Sequence, residues 1–287
     1  MTTLRILTLN IGSLLEPGWD RRRHEIVAWL DHLDPDIVCF QEVWRSATEP
    51  CSLDWILERQ PVGRWHHVFG GFWPCWWYQD PTLEFGSAVL SRWPIDAHHL
   101  VPLPTDPDPA ENWDSWRFEM EILHARTAGI DVFSTHLTPP PAQAYWRVRQ
   151  VIALDAIVRE LSDRSATMPP IICGDFNAEP LSDEIRFLSA LHVVDGRSVF
   201  YQDAWQAAGR TDAGYTHDWR NNPNAEPFNV HPKRLDYIFV GDPFIREGGA
   251  GLVLHADLAA HQALTGIHAS DHFGVIADIR WPKRPSP

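Results

Sequence analysis

The stretch IICGDFNAEP, residues 171–180, runs from apolar residues straight into Asp175 and Asn177 and then into Pro180. The apolar run reads as a buried strand, and Asp and Asn leave strands readily because they form turns. The same side chains at a strand end can also hold a metal ion, a water or a phosphate in a cleft. Recurrence favours the chemical reading. RILTLN ends in Asn10, DIVCFQEV delivers Glu42, and IDVFSTHL delivers His136. RLDYIFV carries Asp236 near its start, and GIHASDHFGV sets Asp271 and His272 just before another apolar run. Turn chemistry does not by itself explain carboxylate, amide and imidazole groups at so many strand edges. Two sheets packed face to face would gather those edges at one end.

The elements that must carry these groups are short. Strand-like runs occupy 5–10, 36–41, 86–91, 117–125, 130–137, 170–175, 235–240 and 274–279. RFEMEIL alternates in part, as a sheet with one buried face does. The other runs are more continuously apolar, as in a sheet covered by a second layer. Helical spacing is clearest over 145–161, where Val148, Val151, Ile152, Leu154, Ile157, Val158 and Leu161 share a face after the prolines at 139–141. A second helix is predicted over 21–33, with Ile26, Val27, Trp29, Leu30 and Leu33 on one side. Strands outnumber helices and often follow one another directly. That pattern predicts an α+β fold of two packed, mainly antiparallel β-sheets flanked by helices, not a doubly wound parallel sheet. At 44% hydrophobic, the 287 residues can bury a large core, and no repeat or linker divides them. One domain spanning 1–287 is expected, with a frayed tail over 280–287. Long loops are expected over 70–81 and 102–114, and loops of that length are often functional.

Taken in order, LN, QEV, STHL, GDFNAEP, RLDYIFV and SDHFGV resemble the motif series of the DNase I-like endonuclease/exonuclease/phosphatase superfamily. FGSAVLSRWPI (85–95) is also similar to that family's mid-chain strand. The matches run from Asn10 to Val275. Each motif alone is weak, whereas six in order at strand boundaries are specific. The resemblance implies a four-layer α/β-sandwich. It also implies divalent-metal-dependent hydrolysis of a phosphoester by an activated water: a phosphodiesterase first, with a DNA or RNA endonuclease or exonuclease as the alternative. A catalytically inactive binding module is the third reading. A dead relative would be expected to lose Glu42, Asp175 or His272, and all three are present.

The residue types suit that chemistry on their own. A phosphodiester resists attack because its oxygens are anionic, and a hard cation held by carboxylate and amide oxygens offsets that charge. Glu42 is the foremost metal ligand, Asn10 can place a carbonyl oxygen beside it, and the resemblance adds Asp271. An all-oxygen set favours Mg²⁺, then Mn²⁺. Asp175 is placed to orient or deprotonate the attacking water, and Asn177 to donate its amide to a phosphoryl oxygen in the transition state. His272 would bind the phosphate or carry a proton, with Asp236 holding its tautomer. His136 is expected on the leaving-group side. Arg92 and Arg234 read equally as structural ion pairs or substrate contacts, and His217 and His231 have no assigned role.

Composition narrows the substrate. There are 24 Lys plus Arg against 38 Asp plus Glu, a formal net charge of −14. Such a surface repels polyanions at long range. It disfavours extended duplex nucleic acid and favours a phosphoester on a small molecule, a lipid head group or a nucleic-acid end. The one dense basic run, DRRRHE at 20–25, is expected to open an outer helix. Leu9 and His136 stand where abasic-site nucleases of the superfamily usually carry Trp and Tyr. KRLDYIF (233–239) is unlike the inositol-polyphosphate phosphatases, so the DNase I, sphingomyelinase-like and poly(A)-trimming branches remain. Trp73, Trp76, Trp77 and Tyr78, with Trp113 and Trp116 near the next long loop, could stack bases, grip a choline head group, seat in a lipid interface or pack over the sandwich edge. Cys39 and Cys173 read as small buried hydrophobes. The absence of a CxxC pair argues against zinc, and a Cys51–Cys75 disulfide is open. MTTLRILTLN is not a signal peptide, and no run is long enough to span a bilayer. The expected location is the cytoplasm, with secretion open if a leader has been removed.

Overall fold

The computed structural model describes residues 2–12, 16–48, 50–74, 80–105, 119–225, 231–241, 246–282 and 285. In chain order the elements are β1 (Thr3–Asn10), α1 (Trp19–Leu33), β2 (Ile37–Arg45), α2 (Ser52–Leu57), β3 (His66–Pro74) and β4 (Glu84–Ser91). Then come β5 (Ile95–Pro102), β6 (Glu121–Thr127), β7 (Ile130–His136), α3 (Ala144–Leu161), β8 (Ile171–Asp175) and α4 (Asp183–Leu188). The last are β9 (Tyr201–Asp203), α5 (Ala204–Ala207), β10 (Asp236–Gly241), β11 (Val253–Ala259) and β12 (Gly274–Arg280).

The strands form two six-stranded sheets, ordered β11-β12-β1-β2-β4-β3 and β5-β6-β7-β8-β10-β9. Each has one central parallel pair, β1 with β2 and β7 with β8. Parallel neighbours need a crossover, and α1 and α3 provide the two. The other pairings are antiparallel.

Alternation along the strands sorts the core into three clusters. Leu4 and Ile6 of β1, Ile37 and Cys39 of β2, Val132 of β7, Ile171 and Cys173 of β8, and Ile238 and Val240 of β10 meet between the sheets. The opposite face of the first sheet, with Leu7, Leu9, Val38 and Phe40, packs on Ile26, Trp29 and Leu30 of α1. The opposite face of the second, with Phe133, Ile172 and Phe239, packs on Val151, Leu154 and Val158 of α3. Helix, sheet, sheet and helix are the four layers expected. Both faces of the central strands are covered, which is why they read as continuous apolar runs.

The side of each strand that faces between the sheets turns polar toward one end. Thr8 and Asn10 follow Ile6, Gln41 follows Cys39, Ser134 and His136 follow Val132, and Asp175 follows Cys173. In β10 the order is reversed, with Asp236 leading into Ile238. Thr8 Oγ1 donates to Gln41 Oε1 at 3.3 Å, and Gln41 Nε2 donates to Ser134 Oγ at 3.2 Å. The second of these bonds ties the first sheet to the second beneath the cleft.

Three expectations need correction. The tail is not frayed from residue 280. Arg280 ends β12, and buried Trp281 packs edge-on against Trp93 at 5.2 Å and exchanges hydrogen bonds with Thr2. Residues 70–74 of the expected loop continue β3. The strands β3, β5 and β11 had no signal because all three are sheet edges: β5 is largely exposed and carries Asp96, His98 and His99 in place of an apolar run.

Gly174 shows how closely β7 and β8 approach. Its φ is +150°, and a Cβ there would lie 1.9 Å from the Thr135 carbonyl oxygen. Backbone occupies that space, so the clash cannot be relieved by a rotamer change. Gly174→Ala is expected to destabilise the fold by at least about 2 kcal/mol from strain and overpacking together. An unchanged urea midpoint for the alanine variant would contradict this.

Candidate active site

Register builds the centre of the site. The parallel β7–β8 pairing sets His136 beside Asp175, and the antiparallel β10–β8 pairing sets Asp236 on its other side. Asp175 is 1% exposed. Its Oδ2 lies 3.5 Å from His136 Nε2 and 3.8 Å from His272 Nε2, and accepts from Asn10 Nδ2 at 3.2 Å. Its Oδ1 is held by the Asn177 backbone N–H at 2.8 Å. Asn177 adopts a left-handed φ of 47°, which Asn tolerates better than most residues. One hydrogen of its amide goes to the Leu137 carbonyl at 2.9 Å, leaving the second for a ligand.

His272 lies just before β12. Its Nδ1 is 2.8 Å from Asp236 Oδ2, and both side chains are buried. Thr216 Oγ1 supports the strand beneath by accepting the N–H groups of Leu235 and Asp236. Burial alone would lower the imidazole, but Asp236, Asp175 and Asp271 outweigh it and raise His272 well above its ordinary value. Burial pushes the Asp236 carboxyl up as well, while the charge and hydrogen bond of His272 oppose this.

Glu42 reaches the same cleft by a different route. Regular alternation after Gln41 would point it toward α1. The β2–β4 ladder instead shifts register between Phe40 and Val43, and Glu42 takes a φ of 54°. A bulge of this kind re-aims a side chain, and a left-handed non-glycine residue costs about 1–2 kcal/mol. Asn10 Nδ2 donates to Glu42 Oε1 at 3.0 Å, so one amide nitrogen bridges Glu42 and Asp175. Asn10 Oδ1 accepts from the Gly12 N–H at 3.0 Å. Between two carboxylates the amide presents its nitrogen and turns its oxygen to Gly12.

Asp271 closes the floor of the cleft. Its Oδ1 accepts from Ser270 Oγ at 3.0 Å, and its Oδ2 lies 4.0 Å from His272 Nε2. A Cβ on Gly12, whose φ is +63°, would come within 2.9 Å of Asp271 Oδ1. Burial pushes the Glu42 carboxyl up and Asp271 adds to this, while His136, Asn10 and His272 oppose it.

Among the described residues, ligating atoms of Asp175, Asp236 and His272 lie within 4.8 Å of one another, an acidic and imidazole group that could hold a metal ion. Asp236 and His272 are already joined by their own hydrogen bond, however. The oxygens left for a hard cation are those of Glu42, Asp271 and Asp175. A carboxyl that burial and a neighbouring carboxylate push toward protonation is one that a cation would relieve, so this donor set fits a divalent ion.

Two residues of this region had no sequence signal. The His217 ring lies 5.3 Å from that of His272, and burial followed by the charge of His272 lowers its pKa. It sits in a loop bridged to Lys233, with no strand-end pattern to mark it. Arg22 belongs to the basic run read as the start of an outer helix, yet it is fully buried under the loop that follows Asn10. The other open residues resolve as structural. Arg92 pairs with Asp34 and donates to the Pro35 carbonyl. Arg234 pairs with buried Asp203 at 2.7 Å and lies over Tyr237. His231 pairs with Glu179 on the surface. Cys51 is a buried free thiol. Cys75, Trp76, Trp77, Tyr78, Trp113 and Trp116 lie outside the described residues, and Trp73 falls in β3.

The profile described as the Endonuclease/Exonuclease/phosphatase family matches residues 7–272. The 2',5'-phosphodiesterase 12 of Rattus norvegicus is 30% identical over 290 residues, covering 91% of this chain and 46% of that protein. Nocturnin of Xenopus laevis is 28% identical over 126 residues, covering 43% of this chain and 30% of that protein. The chain thus spans under half the length of these curated relatives. Among solved structures, truncated Caenorhabditis elegans TDP2 superposes with a TM-score of 0.70 at 20% identity, covering 97% of this chain and 98% of that one. The human Nocturnin catalytic domain with bound sulfate superposes with a TM-score of 0.66 at 19% identity, covering 97% and 93%.

Proposed function

The chain belongs to the endonuclease/exonuclease/phosphatase family, and from that premise we propose that it is a divalent-metal-dependent phosphodiesterase. One observation carries this most directly: the Asn10 amide nitrogen ties Glu42 of one sheet to Asp175 of the other, at 3.0 Å and 3.2 Å. It sets a cation-holding carboxylate and a proton-accepting carboxylate on opposite sides of one cleft.

Glu42 and Asp271 would hold the ion, with Asn10 orienting Glu42, and the all-oxygen donor set suits Mg²⁺ first and Mn²⁺ second. When bound, the ion supplies positive charge against the phosphate oxygens. The protein's own groups do the rest. Asp175 has Oδ1 fixed by the Asn177 N–H, while Oδ2, steadied by Asn10, lies between His136 and His272 and is the atom that would accept the proton of the attacking water. His272 Nε2–H and the second amide hydrogen of Asn177 donate to phosphoryl oxygens as charge develops there. Asp236 keeps the imidazole oriented through Nδ1, as a carboxylate does for a catalytic histidine. His136 stands on the other side of Asp175 and serves the leaving group.

The substrate class follows from charge and kinship. The name of the 2',5'-phosphodiesterase relative supports a nucleotide diester. The net charge of −14 supports a diester in a small molecule or at a chain end over one inside a duplex. Among the described residues no helix is long and apolar enough to cross a membrane, and action on nucleotides is compatible with the cytoplasm.

The test is kcat/KM on 2',5'- and 3',5'-linked dinucleotides, bis-p-nitrophenyl phosphate, sphingomyelin and duplex DNA, with Mg²⁺ and with EDTA. A dinucleotide should be cleaved with Mg²⁺, not with EDTA. Duplex DNA should be slow. An enzyme that grips a duplex loses about one log unit of affinity per log unit of salt for each phosphate it contacts. A duplex rate far above the small diesters, with that steep salt slope, would make the protein a nuclease instead. Lack of turnover on every diester would remove the enzymatic reading.

A further inference from the structure

Helix α1 opens with a basic run, and Arg22 departs from the solvated face such a run suggests. It is 0% exposed. Its guanidinium donates to five backbone carbonyls: Ile11 at 2.8 Å, Gly12 at 2.9 Å, Pro17 at 3.0 Å, and Glu16 and Ala269 at 3.1 Å. A guanidinium carries five N–H donors in a rigid fork, which an ammonium cannot imitate. The carbonyls come from two separate segments. Ile11 and Gly12 directly follow Asn10, and Ala269 comes two residues before Asp271.

Each segment leads to the cleft through bonds already described. Gly12, gripped through its carbonyl, donates its N–H to Asn10 Oδ1. That bond turns the Asn10 amide so that its nitrogen meets Glu42 and Asp175. On the other branch, Ser270 follows Ala269 and donates its hydroxyl to Asp271. Asn222 holds the same loop from the opposite side, through the Ser270 and Asp271 carbonyls. We propose that Arg22 is a positioning residue that fixes the Asn10–Glu42 pair and Asp271 relative to each other, so that both carboxylates present to one divalent cation. This rests on the metal reading above. Arg22 acts only through backbone, and its loss should appear in metal affinity before it appears in chemistry.

Glu25 is a built-in control. One turn further along α1, its carboxylate accepts the N–H groups of Leu264 and Thr265. It pins the same loop away from the cleft. The experiment is calorimetric titration of Mg²⁺ into the metal-free full chain and into Arg22→Lys, Arg22→Met and Glu25→Gln, with kcat measured at limiting and saturating Mg²⁺. Arg22→Lys should weaken Mg²⁺ binding roughly 10–100-fold, the usual range for a group that orients metal ligands. Its kcat should recover largely at saturating Mg²⁺. Glu25→Gln should lower Tm and leave the Mg²⁺ affinity as it was. If the methionine variant does not fold, the lysine variant, which keeps the charge and the buried stem, decides. A folded Arg22→Lys that binds Mg²⁺ as tightly as the parent overturns the proposal. So does an equal loss of affinity in Glu25→Gln, which would make the effect one of general loop stability. A parent chain that binds no Mg²⁺ removes the metal reading itself and this inference with it.

Discussion

Replacing Glu42 by Gln is expected to abolish Mg²⁺ binding in a calorimetric titration and to lower kcat on a model diester by on the order of 10³-fold. A bound cation contributes several kcal/mol of transition-state charge stabilisation, and each 1.36 kcal/mol is about tenfold in rate. The fold should survive. Gln keeps an oxygen for the 3.0 Å bond from Asn10, and it removes a carboxyl that burial and Asp271 disfavour as an anion. In EDTA, the Tm of the variant should therefore equal or exceed that of the parent. In Mg²⁺ the parent should gain stability by mass action, because the ion binds the native state, and the variant should not. Diester turnover by the parent at full rate in EDTA would defeat this account. So would a Glu42→Gln variant that still gains Tm with Mg²⁺.

The second large effect concerns Asp236 and His272, which act as a unit. Their 2.8 Å contact is buried on both sides, and among the described residues Asp236 is the partner that orients Nδ1. An asparagine there removes the charge that faces Nδ1 and no longer supports a proton on the imidazole. Asp236→Asn and His272→Ala should each lower kcat by roughly 10²–10⁴-fold, the range for a positioned acid–base group and its orienting carboxylate. The double variant should lose little more than either alone, because partners in one device do not contribute additively. A full double-mutant cycle on one small diester, at saturating Mg²⁺, measures the coupling. Losses that multiply would mean that Asp236 and His272 work independently, with Asp236 serving the strand edge and not the imidazole.

What the sequence could express about this protein is what alternation and chain order carry. Leu4, Ile6, Thr8 and Asn10 are two residues apart, so the side of β1 that begins in the core must end in an amide at the cleft. The same parity takes Cys173 to Asp175 and Val132 to His136. The motif series in its order carried the resemblance to the family, and period-two burial, a local property of a strand, carried the two-sheet architecture. The sandwich, the crossover helices and the strand-end residues were therefore legible before any coordinates. Other features depend on contacts between segments far apart in sequence. Parity alone sends Glu42 to the wrong face, and only the register shift against β4 turns it inward. The Asn10 amide shows its nitrogen instead of its oxygen because two carboxylates, 32 and 165 residues away, converge on it. His217 reaches His272 from a loop with no periodicity. Arg22 looks like one charge among several in DRRRHE, and its burial follows from carbonyls at Ile11 and Ala269 that only the folded chain brings together. Alternation within a strand is set by the backbone's own geometry, so the sequence by itself determined that Asn10, His136 and Asp175 arrive at the cleft. Their orientation there is set by hydrogen bonds and charges between strands, and that the tertiary structure alone decided.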